Sequence, residues 1–448
     1  MTQLAEFLPD AKGEERESRH HTWFPEPVKS LDETGLSEAF LQDMVLKIMY
    51  HRGQVTGFQI ADEVKLPFQS VLLPIMEFIK REQMCEVKGS GGLGAGTYQY
   101  VITNKGSARA RERLEQTTYI GPAPVPWDEY VKAINAQGGN KLRVTPPMVG
   151  QALSHLVLSE SIMSKVGPAI NSGKSMFLYG PPGNGKTTIA ESIGRLVLTN
   201  DMYIPYCVEV DGQIIKVYDE INHVRVPEAD FLTHGRSGSS LTNRMDTRWV
   251  KIRRPVIMVG GELTLDGLEL VFDRTNKYYE APFQMKANGG MFLIDDFGRQ
   301  QIRPRDLLNR WIVPMEKNVD FLSLVTGRKI EVPFKVLIVF STNLPPRDLV
   351  DEAFLRRIRH KIEVTSPSFD EYREIFKRVA KARNVPYDDQ AVVYLLQEYY
   401  IKRNRKLRSN HPRDLLEQIQ DISEYLGIEP VLSQEMIDRA TAAYFVEL

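Results

Sequence analysis

Apolar positions in the first third of the chain follow helical spacing and then switch to alternation. Leu36, Phe40, Met44 and Ile48 recur every four residues and predict a helix. Gly57 to Val64 reads as a short second helix. Pro67 opens a third, with Val71, Ile75, Phe78 and Ile79 on its apolar face. Met84 to Val87 and Tyr98 to Ile102 alternate like two strands, joined by the glycine-rich stretch Gly89 to Gly96. Asn104 is placed to cap a closing helix, Lys105 to Gln116. Tyr119 to Trp127 (YIGPAPVPW) is proline-rich and reads as a stiff linker. Further on, Met176 to Tyr179, Gly290 to Ile294 and Val336 to Phe340 are short apolar runs of the buried-strand kind, and Thr188 to Leu196 reads as a helix. From Thr365 the pattern is helical almost throughout: Phe369 to Arg383, Asp389 to Lys402, Pro412 to Leu426 and Gln434 to Phe445.

This pattern divides the chain into a polar lead-in (1–24), a small α+β domain (25–118), a linker (119–140), an α/β core (141–364) and a four-helix unit (365–448). A length of 448 residues agrees with several domains. With 42% hydrophobic and 26% charged residues, the composition excludes a mostly disordered chain. No apolar run reaches about 18 residues, and Met1 to Pro9 has no basic region followed by an apolar stretch, so neither membrane insertion nor a secretory signal is expected. Cys85 and Cys207 are too few for a disulfide framework, and a reducing cytoplasm is expected. His20 and His21 read as exposed polar residues. The net charge of −1 gives no global pull toward nucleic acid, so any basic surface must be local.

The order of elements from Leu36 to Glu115, ending in YVITNKGSARARERLE, resembles a winged helix-turn-helix domain. Such a domain invites a nucleic-acid reading, and the charge argues against it. Between Gln54 and Thr103, Lys65, Lys80, Arg81 and Lys88 face Asp62, Glu63, Glu77, Glu82 and Glu86, and the wing carries no Lys or Arg. DNA affinity rests largely on neutralised phosphates, so protein docking is the favoured role and nucleic-acid contact the alternative.

The candidate chemistry begins at Gly180-Pro181-Pro182-Gly183-Asn184-Gly185-Lys186-Thr187-Thr188, a G-x-x-x-x-G-K-S/T loop between a strand and a helix. Gly183 and Gly185 let the backbone wrap phosphates, so that N–H groups and the helix N-terminus point at the anion. Lys186 supplies charge at the β- and γ-phosphates, and the Thr187 hydroxyl is a Mg2+ ligand. Asp295 and Asp296 close an apolar strand roughly 110 residues downstream. Asp295 is expected to hold Mg2+ through water, and Asp296 to activate the attacking water. Asn343, after Val336 to Phe340, is a polar side chain placed to hold that water.

GPPGNGKT, FLIDD, FSTN, DEAFLRRIRHKIEV and NHPRDL occur in the order of the AAA+ ATPase superfamily, and this resemblance covers roughly two-thirds of the chain, Thr145 to Leu448. It implies a three-layer αβα P-loop core with a helical lid, binding ATP and Mg2+. Asn343 matches the family's sensor-1 residue and Arg413 its sensor-2 arginine. Arg357 matches the arginine finger, with Arg356 as the alternative. Val149 and Gly150 resemble the segment that packs on adenine. A finger that serves a neighbour's γ-phosphate is worth about 10³–10⁵ in rate, so the resemblance implies a homo-oligomeric ring, with six subunits expected.

Two further segments narrow the branch. Gly261 to Leu270 reads as a helix, followed by two strand-like runs around Arg274 to Lys277, and resembles a helix-2 insert. Phe321 to Pro333 reads as a hairpin turning near Thr326-Gly327, and resembles a pre-sensor-1 hairpin. Together they resemble the group that holds MoxR-type chaperones, magnesium-chelatase ATPases and sigma-54 activators; no GAFTGA-type loop is present. Asp296 departs from the usual Glu and is one methylene shorter, which implies slow or partner-gated hydrolysis. Asp211 to Arg254 is unusually long and holds Arg236, Arg244, Arg248, Lys251, Arg253 and Arg254 around Trp249, read as a surface for a partner or a neighbouring subunit. The resulting expectation is a MoxR-like ATPase that remodels a protein client. A nucleic-acid motor and an ATP-controlled assembly switch are the alternatives.

Overall fold

A computed structural model describes residues 23–138, 143–227, 245–349 and 352–445. Its centre is a five-stranded parallel sheet. In spatial order the strands are Val256–Val259, Met291–Ile294, Leu337–Thr342, Met176–Tyr179 and His360–Glu363. Alternate side chains of these strands enter two different cores, as the two-residue period of a strand requires. Met176, Leu178, Met291, Leu293, Leu337 and Val339 pack beneath helices Glu160–Ser172 and Lys186–Val197. Phe177, Phe292, Ile294, Ile338 and Phe340 face the opposite way, toward Leu307, Leu308 and Trp311 of helix Pro304–Lys317. Burial on both faces explains why the three inner strands read as unbroken apolar runs, whereas the edge strand His360–Glu363 buries only Ile362. The result is the expected three-layer αβα core.

A second five-stranded sheet joins segments far apart in sequence: Val271–Asp273, Tyr278–Glu280, Gln213–Lys216, Cys207–Val210 and Val125–Pro126. The proline-rich segment is therefore no free linker. Val125 pairs with Val208, Ala123 donates its N–H to the Val64 carbonyl at 2.8 Å, and Ala123 and Val125 are fully buried. Helix Trp127–Gly138 continues directly from it. The expected helix over Gly261 to Leu270 is reduced to a 3-10 turn, Asp266–Leu268. Leu263 and Leu268 are both drawn into the core, and the Glu262 carboxylate accepts from the Gly260 N–H, a local bond that competes with a helix. The hairpin is present as Val319–Ser323 paired with Lys329–Pro333, and Leu322, Leu324, Ile330 and Val332 pack against the second sheet.

The long insertion is also largely structural. Arg236 and Arg244 lie outside the described residues. Trp249 sits in the strand Trp249–Arg253, which pairs with Asp201–Pro205. Lys251 and Arg253 both pair with Asp201. Arg254 is buried and donates to the Gln137 carbonyl at 2.9 Å and to the Gly289 carbonyl. Arg248 is 1% exposed. Its guanidinium forks onto Asp246 at 2.8–3.1 Å and donates to the carbonyls of Thr34 at 2.8 Å and Pro124 at 3.1 Å. The expected partner surface is thus, at Arg248 and Arg254, internal mortar. Arg is suited to this because its planar fork satisfies a carboxylate and two carbonyls at once.

The N-terminal unit runs Glu38–Arg52, Gln54–Thr56, Gly57–Val64, a helix from Phe68 to Arg81, Cys85–Ser90, Tyr98–Ile102 and Asn104–Gln116. The three strands form one antiparallel sheet, with Tyr98–Ile102 in the middle. Thr103, not Asn104, caps the closing helix, its hydroxyl accepting from the Gly106 N–H at 3.2 Å. Its core is continuous with Tyr119, Ala123, Cys207 and Ile214, so the unit is seated on the second sheet. At the other end, helices Phe369–Ala382, Asp389–Leu395 (extended by a π turn, Leu396–Ile401), His411–Leu426 and Gln434–Tyr444 enclose their own core.

Two predictions follow from these contacts. Arg248→Ala leaves Asp246 buried without its cation, and breaking such a pair costs about 3–5 kcal/mol. Urea unfolding of the full chain should show a loss of that size, and a loss under about 1 kcal/mol would contradict the clamp. In the helical unit, burial, with Arg408 and Arg405 nearby, pushes the His411 imidazole down to about 4, and its Nδ1 lies 2.8 Å from the Tyr400 hydroxyl. The unfolded chain then binds the proton first, so stability falls as pH drops from about 6.5 toward 4. His411→Gln should flatten that part of the pH profile, and an unchanged slope would exclude His411 as its source.

Candidate functional site

The chemistry-bearing loops meet at the C-terminal ends of the parallel strands, where α/β sheets place their ligands. Register decides which residues meet. Ile294 lies beside Phe340, and Thr342 beside Tyr179, so the Asp pair, Asn343 and the glycine-rich loop emerge at one edge. Gly180, Gly183 and Gly185 all adopt positive φ (142°, 80° and 80°). At Gly180 a Cβ would lie 2.2 Å from the Val364 carbonyl oxygen, and at Gly183 it would lie 2.2 Å from Asn410 Oδ1. Only glycine passes there. Helix Lys186–Val197 starts directly from the loop, so its unpaired N–H groups face the cleft.

Lys186 Nζ donates to the carbonyls of Gly180 at 3.0 Å and Pro181 at 2.9 Å. Burial lowers its pKa, opposed by Asp295 and Asp296. The Thr187 hydroxyl donates to Asp295 Oδ2 at 2.9 Å. The backbone turns left-handed at Asp296, with φ 48°, and its N–H bonds Asp295 Oδ1 at 3.0 Å. That turn brings the Asp296 carboxylate to Asn343, whose Nδ2 donates to Oδ1 at 3.2 Å. The shorter acid therefore still reaches its neighbour. A non-glycine residue held at positive φ stores strain of the kind that collects at functional sites.

These groups line a cleft of 460 Å³, together with Gly183, Asn184, Gly185 and Thr188 of the loop and Arg413 from the helical unit. The volume suits a small-molecule ligand. Arg413 is exposed and bonds Asp414 at 3.1 Å. Val149 and Gly150 do not line the cleft. Val149, on helix Pro146–Ala152, is buried in the core, and the apolar wall is made instead by Leu156, Val157 and Leu158 with Ile375 and Val379. Ile375 and Val379 are four apart on one helix, a spacing legible in the sequence as a second apolar stripe. His155, Arg378 and Ser409 also line it and carried no sequence signal of their own, whereas Ser341 and Asn410 line it from within FSTN and NHPRDL. Arg357 lies elsewhere, its Nε on Glu316 at 2.5 Å, and Arg356 pairs with Glu352 at 3.4 Å. Within one chain the cleft is therefore built without Arg357 or Arg356.

The donor set matches a nucleoside triphosphate with Mg2+. A loop of backbone N–H groups and one lysine meets the anion, and one hydroxyl with one carboxylate supplies the hard oxygen ligands that Mg2+ takes alongside phosphate and water. Among the described residues no group of three or more His, Cys, Asp and Glu side chains is placed to hold a metal. Nor, among them, is any helix long and apolar enough to cross a membrane.

Residues 368–443 match a family described as a domain of unknown function (DUF8689), and the match falls on the helical unit. No curated protein matches the chain. Among solved structures, NtrX from Brucella abortus is similar at 15% identity and a TM-score of 0.37, over 64% of this chain and 55% of that one. The chain thus spans little more than half of NtrX. RuvB from Thermotoga maritima, described as a Holliday junction branch migration motor, is similar at 15% identity and a TM-score of 0.34, over 72% of this chain and 73% of that one. At such scores the fold is read from this chain's own sheet order and loop.

Gly183→Ala tests the loop. A side chain forced to positive φ costs about 1–3 kcal/mol, and here it also meets Asn410. Thermal unfolding should shift downward by a corresponding amount, and wild-type stability would contradict the packing of loop against helical unit.

Proposed function

We propose that this chain is an AAA+-type ATPase that hydrolyses ATP with Mg2+ in a ring and uses the cycle to remodel a protein client. The observation that carries the reading is the juxtaposition at one sheet edge: Thr187 on Asp295 at 2.9 Å and Asn343 on Asp296 at 3.2 Å, beside Lys186. The loop backbone at Gly183 and Gly185 cradles the phosphates, and Lys186 leaves its own loop carbonyls for them. Thr187 and Asp295 are the pair that would hold Mg2+, whose chemistry when bound is to neutralise phosphate charge. Asp296, oriented by Asn343, polarises the attacking water. Arg413 brings the helical lid onto the phosphates. Arg357, remote from its own cleft, is the residue to serve a neighbour's site, and a composite site of that kind calls for a closed ring, six subunits in this reading.

A protein client is favoured over nucleic acid by the exposed surfaces. The N-terminal unit, taken as a winged helix, carries Leu93, fully exposed, at its wing tip. The exposed face of its third helix presents Gln69, Ser70, Pro74, Glu77 and Lys80, with Arg81 at its end over the Phe78 ring, so its basic residues sit only in the last turn. The Val319–Pro333 hairpin exposes Phe321 and Val325. The apolar residues suit peptide contact; at the hairpin turn Lys329 is exposed and Arg328 is paired with Asp211.

Lys186→Ala should abolish ATP binding in a calorimetric titration, and retained micromolar affinity would remove the site assignment. Asp296→Asn should keep ATP affinity while turnover falls at least about 100-fold, the scale of a lost general base. Wild-type turnover in that variant would exclude Asp296 from the role. Held in ATP, Asp296→Asn should retain specific proteins from host lysate after nuclease treatment. Capture that disappears with nuclease, with DNA or RNA in the untreated eluate, would replace the remodelling reading with that of a nucleic-acid motor.

A further inference from the structure

Asn184 occupies a variable position of the G-x-x-x-x-G-K-T loop, yet it is only 3% exposed and its amide is used on both sides. Its Oδ1 accepts from the Ser409 N–H at 3.2 Å, and its Nδ2 donates to the Ser366 hydroxyl at 3.4 Å. Ser366 lies in the short connection between the last core strand, His360–Glu363, and the first lid helix, Phe369–Ala382. Ser409 lies just before helix His411–Leu426, the element that carries Arg413. One side chain of the phosphate loop thus touches the lid where the chain enters it and again where it returns to the cleft.

Two neighbouring bonds make this a clasp. The Asn410 N–H donates to the Gly183 carbonyl at 2.9 Å, and Arg408 Nη1 donates to the Pro182 carbonyl at 2.8 Å. The clasp is not fully satisfied. Asn410 Nδ2 is held by Asp414 at 2.7 Å, which fixes the amide with Oδ1 toward Gly183, where that oxygen is buried without a hydrogen-bond partner. A buried acceptor left unpaired disfavours this arrangement relative to one in which it is paired. The lid therefore has a reason to rearrange when the loop moves.

We infer that Asn184 is a positioning residue that couples occupancy of the phosphate loop to the set of the lid, and through Ser409 to the placement of Arg413. The inference rests on the nucleotide reading above. The loop that wraps the phosphates carries Asn184 with it, and a displacement there either tightens or breaks the bonds to Ser366 and Ser409. Coupling of this kind needs only that nucleotide favour one of two lid arrangements.

The test is amide hydrogen exchange on the full chain, with and without ADP and Mg2+, alongside steady-state kinetics. Without nucleotide, Asn184→Ala should speed exchange at Ser409 by about 3- to 10-fold, the worth of one hydrogen bond. Asn184→Asp keeps the acceptor and should restore the wild-type rate. In the wild type, ADP should slow exchange across residues 405–416. In Asn184→Ala that response should vanish while ADP binds within about 10-fold of wild type, and kcat should fall more than KM rises. Ser366→Ala, which removes only the hinge bond, should weaken the response without abolishing it. Wild-type exchange in Asn184→Ala, or an ADP response that persists in it, overturns the coupling. A wild-type chain that binds no ADP overturns it as well, by removing the nucleotide reading beneath it. The exchange rates without nucleotide then show which of the two failed.

Discussion

The parallel sheet is the constraint on which everything else depends. Parallel strands send every loop that follows them to the same edge, and they tolerate only residues that can be buried on both faces. Here that edge receives the glycine-rich loop, the two aspartates and Asn343, and the register Ile294–Phe340 and Thr342–Tyr179 sets them within hydrogen-bond reach. The loop, the Asp pair and Asn343 are far from one another in sequence. The bond from Thr187 to Asp295 spans 108 positions, and its geometry is inherited entirely from strands whose side chains carry no chemistry at all.

Around this core the protein has spent its insertions on rigidity. The second sheet gathers strands from the proline-rich segment, the long insertion and the hairpin before the Asp strand, and the N-terminal unit shares a core with it. Arg248 fastens the arrangement by satisfying Asp246, Thr34 and Pro124 together. A unit held by a buried cation and a shared apolar core moves with the body that carries it. In the proposed cycle the N-terminal unit is therefore a fixed presenting surface, and motion is left to the lid, whose contacts with the phosphate loop are a few hydrogen bonds.

Much of this was legible in the sequence where one element carries its own signal. The loop, the Asp strand, Asn343 and the Phe321–Pro333 hairpin all show in local pattern, as do the four lid helices. Failures came where tertiary contacts outvoted local pattern. The prolines of Tyr119 to Trp127 read as a stiff linker, yet Ala123 and Val125 are buried and Val125 pairs with Val208. Gly261 to Leu270 has helical spacing, but Leu263 and Leu268 are drawn into the core beside a glycine-containing turn. The charges of the insertion looked like a surface, because nothing in the sequence pairs Arg248 with carbonyls more than a hundred residues away. The wall of the cleft at Leu156 to Leu158 was displaced from Val149 for the same reason: ordinary apolar residues become ligand contacts only through where the chain puts them.

In the proposed function the assembled edge performs phosphoryl chemistry across a subunit boundary. The most direct measurement is inorganic phosphate released from ATP and Mg2+ by the purified chain over a wide range of protein concentration. Turnover per chain that rises with concentration and then levels off, as composite sites form between copies, is the predicted result. No phosphate release at any concentration, or a turnover per chain independent of concentration in a protein shown to remain monomeric, would contradict it.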